Sequence, residues 1–244
     1  MKITEIPIVP TLNPLIDGDP VVYGAGFAAG KGNPVEHSLG NVKKYLDSVL
    51  DIFHSHTYYK LYLNGVGNYR DTTATIQKYK GNRDSSHKPE FYHEIREYMV
   101  DTWGAELVDG RESDDALGCW QWSCKDKSTV IVSIDKDLNQ IPGYHYNPRK
   151  RQFYYVTKHA ADTFFWEQML QGDATDNIPG IKGVGPKTIE RMVERCGGDL
   201  VKLRAEVERL YQQQYKDQWQ VAMKEVGDLL WMQREEGKSW NQSV

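Results

Sequence analysis

In the run TVIVSIDKDL, Thr129–Leu138, four β-branched residues stand side by side before two aspartates appear. A short apolar run without alternation reads as a strand buried on both faces, as in a parallel sheet. Asp135 and Asp137 arrive where that run stops, so they mark the C-terminal end of the strand. PLIDGD (Pro14–Asp19) repeats the pattern, AELVDG (Ala105–Gly110) is a third such strand, and YYKLYLNG (Tyr58–Gly65) is a fourth that ends in Asn64. Helical patterns lie between them, over residues 35–53, 89–103 and 114–123. Strands alternating with helices predict an α/β fold, a parallel twisted sheet flanked by helices. Open sheets of this kind form their sites just beyond the carboxyl ends of the strands.

The acids are concentrated at those ends. Asp17 and Asp19, then Glu112, Asp114 and Asp115, then Asp135 and Asp137 follow three strands, and Asp173 and Asp176 form a fourth cluster in GDATDN. Glu112 and Asp115 are three apart at a strand-to-helix turn, which puts them on one face of the new helix. An isolated Asp after a strand is ordinarily a turn residue or a helix cap. Three converging clusters are a different matter, because two carboxylates ~5 Å apart repel by roughly 3 kcal/mol at an effective dielectric of ~20. Such a gathering calls for a cation. Oxygen donors without His or Cys favour a hard ion, Mg²⁺ or Mn²⁺. Two such ions ~3.5–4 Å apart are the usual arrangement for in-line attack at a phosphodiester.

The chain has 244 residues and a formal net charge of −4, so bulk charge does not announce a nucleic-acid partner. Its length suits one large α/β domain, or one domain with a small appendage. An apolar content of 39%, with seven Trp and fifteen Tyr, supports a packed core rather than disorder. No apolar run is long enough to predict a membrane span, and MKITEIPIVPTLNP lacks the continuous apolar stretch of a signal peptide. Cys119, Cys124 and Cys196 form no CxxC pair and fit reduced cytosolic thiols.

Two segments carry the features that suit a polyanion. YKGNRDSSHKP (Tyr79–Pro89) sets Lys80, Arg83 and Lys88 among Gly, Asn and Ser, with an aromatic ring in front. In NIPGIKGVGPKTIERMVERCGG (Asn177–Gly198), Gly180, Gly183 and Gly185 make a tight hairpin, Pro186 opens a helix at its favoured position, and Gly197 and Gly198 close it. Another helix, over about 160–171, precedes the hairpin. Helix, glycine hairpin, helix offers bare backbone N–H groups and a helix N-terminus to a phosphate, with Lys182 and Lys187 alongside. Asp173 and Asp176, at the junction, can reach back to the crevice. Three features are set aside. His54 and His56, two apart, cannot both face one ion from a helix. GAGFAAGKG (Gly24–Gly32) lacks the Lys-Ser/Thr of a phosphate loop and reads as a flexible turn. The tail over 207–231 reads as amphipathic helix without a function of its own.

Taken in order over about Leu12 to Glu236, LIDGD, YKGNR, ESDD, SIDKDLNQIPG, GDATDNIPGIKGVGPKTIE and, more loosely, DLLWMQREEG resemble the flap endonuclease superfamily, specifically the phage and bacterial 5′→3′ exonucleases. The resemblance implies a PIN-like nuclease domain over 1–157. It also implies a helix–three-turn–helix (helix-hairpin-helix) DNA-binding module with C-terminal helices over 158–244. The implied activity is metal-dependent hydrolysis of phosphodiester bonds near 5′ ends of duplex or flapped DNA, extending to RNA in RNA–DNA hybrids. Two divalent ions, Mg²⁺ or Mn²⁺, are implied. Glu112, Asp114, Asp115 and Asp135 would hold the first; Asp135, Asp137, Asp173 and Asp176 would serve the second; Asp17 would act nearby or through water. The backbone of Gly183, Val184 and Gly185 is expected to bind K⁺.

By the same resemblance YKGNRDSSHKP begins a short arch, at about 76–103. Lys80 would neutralise the scissile phosphate, Arg83 would line the same basic wall, and Tyr79 would stack on an unpaired base. Asp19, at the rim of the first strand, is expected either to order water on the second ion from the outer shell or to cap the turn before Pro20. The expected protein is a monomer that acts on DNA in the cytoplasm of a bacterium or phage host, with no membrane partner. The chain also departs from the family's pattern. Gly24 stands near where relatives often have an arginine, and Asn64 and Gly65 occupy a turn that carries an aspartate in some. The stretch from Lys80 to Glu112 is shorter than in long-arched members, so threading of a long flap is not implied. Two other readings compete. One is an RNA-cleaving relative, against which IKGVGPK stands. The other is a DNA-junction binding protein that kept the hairpin and lost the chemistry, against which the full set of acidic clusters stands.

Overall fold

The computed structural model describes residues 12–83, 87–124 and 128–244, together with the main chain of 4–5. The expectations that rest on the rest of the first eleven residues, and on Asp84–Ser86 of the arch, lie outside the described residues.

Four expected strands form where the apolar runs stand: β2 (Asn13–Asp17), β3 (Lys60–Asn64), β4 (Glu106–Val108) and β5 (Thr129–Val132). With β1 (Thr4–Glu5), β6 (Gly143–Asn147) and β7 (Gln152–Val156) they make one sheet in the order β1-β7-β6-β5-β2-β3-β4. The five strands from β6 to β4 are parallel, and β7 and β1 add an antiparallel edge. Nothing in the periodicity announced the β6–β7 hairpin. Cross-strand aromatic contacts hold it, with Tyr144 stacked on Phe153 at 5.6 Å and edge-on to Tyr155 at 5.0 Å.

Both faces of the central parallel strands β2, β3 and β5 are covered, which is why they read as continuous apolar runs, whereas the edge strand β4 leaves Leu107 exposed. On one face α1 (Asp19–Ala29), α2 (Val35–Phe53) and, after the short α3 (Tyr69–Thr73), α4 (Tyr92–Trp103) bring side chains to a core that includes Ile16, Leu46, Leu61 and Met99, with α3 itself outside it. On the other, α5 (Ser113–Ser123) packs against Leu15 and Ile131 through Leu117. Adjacent residues Leu15 and Ile16 thus serve opposite layers, as the pleat requires. Two expectations are corrected here. GAGFAAGKG is not a flexible turn: its first six residues finish α1, whose Val21, Val22 and Ala25 are buried. Gly26 is glycine because Pro89 crosses it, and an added Cβ would lie 2.5 Å from the proline side chain. The helix of the expected arch is not raised over the site either. Ile95 and Met99 of α4 are fully buried in the core, so α4 packs on the sheet rather than over the crevice.

After β7 the chain becomes helical. α6 (Lys158–Gln171), α7 (Pro186–Cys196), α8 (Leu200–Tyr215) and α9 (Trp219–Leu230) enclose a separate core around Phe165, Trp166, Tyr211 and Trp231. Thr157 caps α6 by accepting from the Ala160 N–H at 3.1 Å, and Asp199 caps α8. The sheet ends at Val156 and α6 begins at Lys158, yet the two halves are interlocked. Tyr79 is buried in the C-terminal core, and Arg234 returns to Asp162 (2.6 Å) and the carbonyl of Gln140 (2.7 Å). Among the described residues no helix is long and apolar enough to cross a membrane.

Candidate active site

The C-terminal ends of β2, β3, β4 and β5 open onto a cleft of about 370 Å³. Asp17, Glu112, Asp114, Asp135, Asp137, Asp173 and Asp176 all line it, so residues from four separate stretches meet as the strand-end argument requires. Asp17 is the last residue of β2 and accepts a 2.7 Å hydrogen bond from the Ser133 hydroxyl, which in turn accepts from the Asp135 N–H (2.9 Å). Asp135 accepts from the Asp137 N–H (2.8 Å), and Asp137 accepts from Gln168 of α6 (2.7 Å). Asp173 organises its own loop by accepting from the N–H groups of Thr175 (2.7 Å) and Asp176 (3.3 Å). Gly172 and Gly180 pinch that loop against the end of α6: a Cβ on Gly180 would fall 2.2 Å from the Gln171 carbonyl oxygen, and one on Gly172 2.4 Å from that of Ile178.

The cluster is short of positive charge. Burial first, then Asp19 and Asp135, push Asp17 up to about 8. Burial, Asp135 and Asp173 push Asp137 up to about 8. Asp114 is raised by burial and by Asp17, Asp135 and Glu112, and Asp135 by burial and by Asp176 and Asp173. Asp114 accepts no hydrogen bond from any described residue. Among the described residues no three His, Cys, Asp or Glu side chains stand ready-made around a single point. The carboxylates ring the cleft instead, as hard oxygen donors whose mutual repulsion a divalent cation would relieve. That donor set fits Mg²⁺ or Mn²⁺.

Protein cations occupy one side of the ring. Lys80 Nζ contacts Glu112 and lies 3.7 Å from Asp176, and Arg83 pairs with Asp176. Burial would raise Glu112, but Arg70 and Lys80 hold it below the usual carboxylate range. Lys80 and Arg83 therefore stand at the cleft as expected. Tyr79 does not: its ring is buried and its hydroxyl donates to Asp176 (2.8 Å) and Glu112 (3.1 Å), so it has no face free for a base. The aromatic surface at the mouth is Tyr23, 5.6 Å from Tyr92 and 6.2 Å from Phe27, which no motif had flagged.

Asp115 is also corrected. It does share a face with Glu112, but that face meets Arg70, whose guanidinium takes both Asp115 oxygens at 2.7 and 3.0 Å. Asp115 is fully buried and is not among the residues lining the cleft, so in this structure its carboxylate braces α5 through Arg70. Asp19 does reach the rim. Its carboxylate accepts from the Asn64 N–H (2.9 Å), Arg96 (3.1 Å) and the Ser113 hydroxyl (3.4 Å), which makes it a brace between strand ends rather than a free outer-shell carboxylate. Arg70 and Arg96 were missed in the sequence. Arg70 had no local signal, since its partners Asp115, Leu229 and Trp231 lie 45, 159 and 161 residues away. Ser133, inside SIDKD, was legible as a polar residue at a strand end.

The glycine loop lies between α6 and α7, about Gly172–Gly185. The Ile181 N–H donates to the Leu170 carbonyl (2.8 Å), and Gln214 of α8 accepts from the Lys182 N–H (2.7 Å). Gly183 takes a left-handed φ of 80°, and Gly185 precedes Pro186 at the start of α7. The carbonyls of Gly183 and Val184 accept no backbone N–H among the described residues. Lys182 and Lys187 are exposed and form no ion pair among the described residues.

No family model matches the chain. DNA polymerase I of Deinococcus radiodurans is 30% identical over 111 residues, 41% of this chain and 12% of that protein. The thermostable DNA polymerase I of Thermus aquaticus is 30% identical over 115 residues, 41% of this chain and 13% of that one. The chain thus spans about an eighth of the curated relatives it matches. Among solved structures, a bacteriophage T5 flap endonuclease in a pseudo-enzyme-product complex with DNA and metal ions superposes with a TM-score of 0.59 at 15% identity, covering 89% of this chain and 99% of that one. The T5 5′-exonuclease with bound zinc gives 0.57 at 17%, covering 90% and 98%. The catalytic core of Rad2 with a DNA substrate gives 0.55 at 12%, covering 92% and 76%. The fold is that of these nucleases, and the resemblance read from the sequence motifs returns in it.

Proposed function

We propose that this protein is a metal-dependent 5′→3′ exonuclease and flap endonuclease acting on 5′ ends of duplex or flapped DNA, and on the RNA strand of RNA–DNA hybrids. The observation that carries the reading is the cleft itself: carboxylates from four chain segments, several pushed up by burial and by one another, with Asp114 accepting no hydrogen bond from a described residue and Lys80 and Arg83 facing them. Asp17, Glu112, Asp114 and Asp135 are suited to one ion, and Asp135, Asp137, Asp173 and Asp176 to a second, with Mg²⁺ the expected species. Divalent ions held there would make a water nucleophilic near neutral pH and stabilise charge on the leaving oxygen. Lys80, released from Glu112, presents its ammonium to the scissile phosphate, and Arg83 extends the cationic wall. Asp115, through Arg70, keeps the first turn of α5 in register. Tyr23, with Phe27 and Tyr92, offers stacking faces for unpaired bases at the mouth.

The glycine loop holds the duplex backbone through the N–H groups of Gly183, Gly185 and Lys187, those of Thr188 and Ile189 being taken by the Gly185 carbonyl, with Lys182 and Lys187 adding charge. The open carbonyls of Gly183 and Val184, with Gly185, suit a K⁺ there. In this reading residues 158–244 are the DNA-binding module, and the protein works as a monomer in the cytosol. The test is a Mg²⁺ titration with 5′-end-labelled flap, nicked and blunt duplexes, read by product length. Short 5′ products that require Mg²⁺ and vanish with chelator support the reading. Tight junction binding with no Mg²⁺-dependent product would leave a DNA-binding protein without chemistry.

A further inference from the structure

The cationic strap, residues 74–83, hangs from the C-terminal half of the molecule. Along its length it is tied to the loop that carries Asp173 and Asp176. The Lys80 N–H donates to the Asp176 carbonyl (2.9 Å), Asn82 donates to the Ala174 carbonyl (2.7 Å), and Asn177 donates to the Lys78 carbonyl (2.8 Å). Lys80 itself sits at a left-handed φ of 52°, a conformation that a lysine keeps only where its surroundings impose it. These ties belong to the acidic loop and would shift with it. Two anchors do not: the Tyr79 ring is buried in the C-terminal core, and a carboxylate holds the root of the strap. Glu225 of α9, 7% exposed, uses Oε1 to accept from the backbone N–H groups of both Thr75 and Ile76 at 2.7 Å each. Its Oε2 accepts from the Thr75 hydroxyl. No cation pairs with this carboxylate among the described residues. A buried charge is thus devoted to three neutral donors at the root of the strap, five residues before Lys80, and each such bond is strengthened by the charge.

We propose that Glu225 is a positioning residue for phosphodiester cleavage: it pins the root of the strap to α9, so that Lys80 is presented over the carboxylates independently of the acidic loop. The proposal rests on the function assigned above. A displacement of ~1 Å at a reacting centre can cost ~100-fold in rate, so a loosened strap should act on turnover rather than on duplex affinity.

The test uses the full chain in single-turnover cleavage of a 5′-flap duplex, with duplex affinity measured in chelator and thermal stability measured alongside. Glu225→Ala should lower the saturated rate by ~10–100-fold with affinity within about threefold of wild type. Glu225→Gln keeps an oxygen for the two N–H groups and should stay within about threefold, whereas Thr75→Val, which removes only the hydroxyl, should fall by a smaller factor. In a Lys80→Ala background neither Glu225→Ala nor Thr75→Val should slow the reaction further, because the coupling runs through Lys80. Should Glu225→Ala fail to fold, the Thr75→Val and Lys80→Ala pair still decides. Effects that multiply instead of merging, or a Glu225→Gln as slow as Glu225→Ala, overturn the positioning role. If Lys80→Ala alone leaves the rate unchanged, the assigned role of Lys80 falls and this inference with it. A slow Lys80→Ala beside an unimpaired Glu225→Ala overturns this inference alone.

Discussion

Replacing Arg70 with methionine should destabilise the fold more than any change at the cleft. Arg70 is fully buried and donates four hydrogen bonds: to Asp115 Oδ2 (2.7 Å) and Oδ1 (3.0 Å), and to the carbonyls of Leu229 (3.0 Å) and Trp231 (2.6 Å). Methionine keeps an unbranched apolar stem but strands Asp115 as a buried carboxylate whose remaining donor is the Gln233 N–H at 3.0 Å. Removing one partner of a buried ion pair costs about 3–5 kcal/mol. For a chain of this length each kcal/mol shifts Tm by about 2–4 °C, so Arg70→Met should lower it by roughly 6–20 °C. Adding Asp115→Asn removes the stranded charge and should recover about 1–2 kcal/mol, a coupling within the usual range for contacting residues. Urea unfolding of the wild type, both single variants and the double variant closes the cycle. The reasoning fails if Arg70→Met costs less than about 1 kcal/mol, or if the double variant is no more stable than Arg70→Met.

Asp135→Asn should abolish cleavage while leaving flap-duplex binding intact or tighter, since one acid shared by both proposed ion sites is lost and phosphate meets less negative charge; turnover within about tenfold of wild type would contradict the two-ion assignment. Lys182→Ala with Lys187→Ala should weaken duplex binding for all sequences and reduce the log–log salt slope by about 0.9 per lost phosphate contact, measured by anisotropy between low and high salt. Asp17 and Asp137 are raised to about 8 by burial and neighbouring carboxylates. A raised carboxyl pKa means the folded chain binds more protons than the unfolded one, so its stability contribution is full below the ordinary carboxylate range and is lost as pH rises through about 8. The Tm of the metal-free protein should therefore fall between about pH 5 and pH 8, and Mg²⁺ should reduce the fall; a flat profile would mean the carboxylates are not crowded. Asp19→Asn should lower stability by about 1–3 kcal/mol by weakening the contacts to Arg96 and the Asn64 N–H, and an unchanged unfolding midpoint would count against its bracing role.

Chain-local physics was enough to place the scaffold. Short apolar runs ending in acids named β2, β4 and β5 and the side of the sheet on which Asp17, Asp114 and Asp135 would meet, because apolar patterning and the strand-end rule act within a few residues of the motif. Pro186 and the paired glycines did the same for the start and end of α7. What the acids do individually was decided by residues far away in the chain. Glu112 and Asp115 look equivalent at three-residue spacing, yet Arg70 claims Asp115 only because Leu229 and Trp231 fix the guanidinium from the far end of the sequence. Tyr79 precedes a cationic loop and reads as a free ring, but the C-terminal core reaches over and buries it. GAGFAAGKG reads as flexible until Pro89 packs across Gly26 and makes the small residue a contact. Periodicity and turn chemistry record how a segment folds on itself. Which carboxylate is left bare for a cation depends on desolvation and long-range pairing, and those exist only once the two halves have closed on each other.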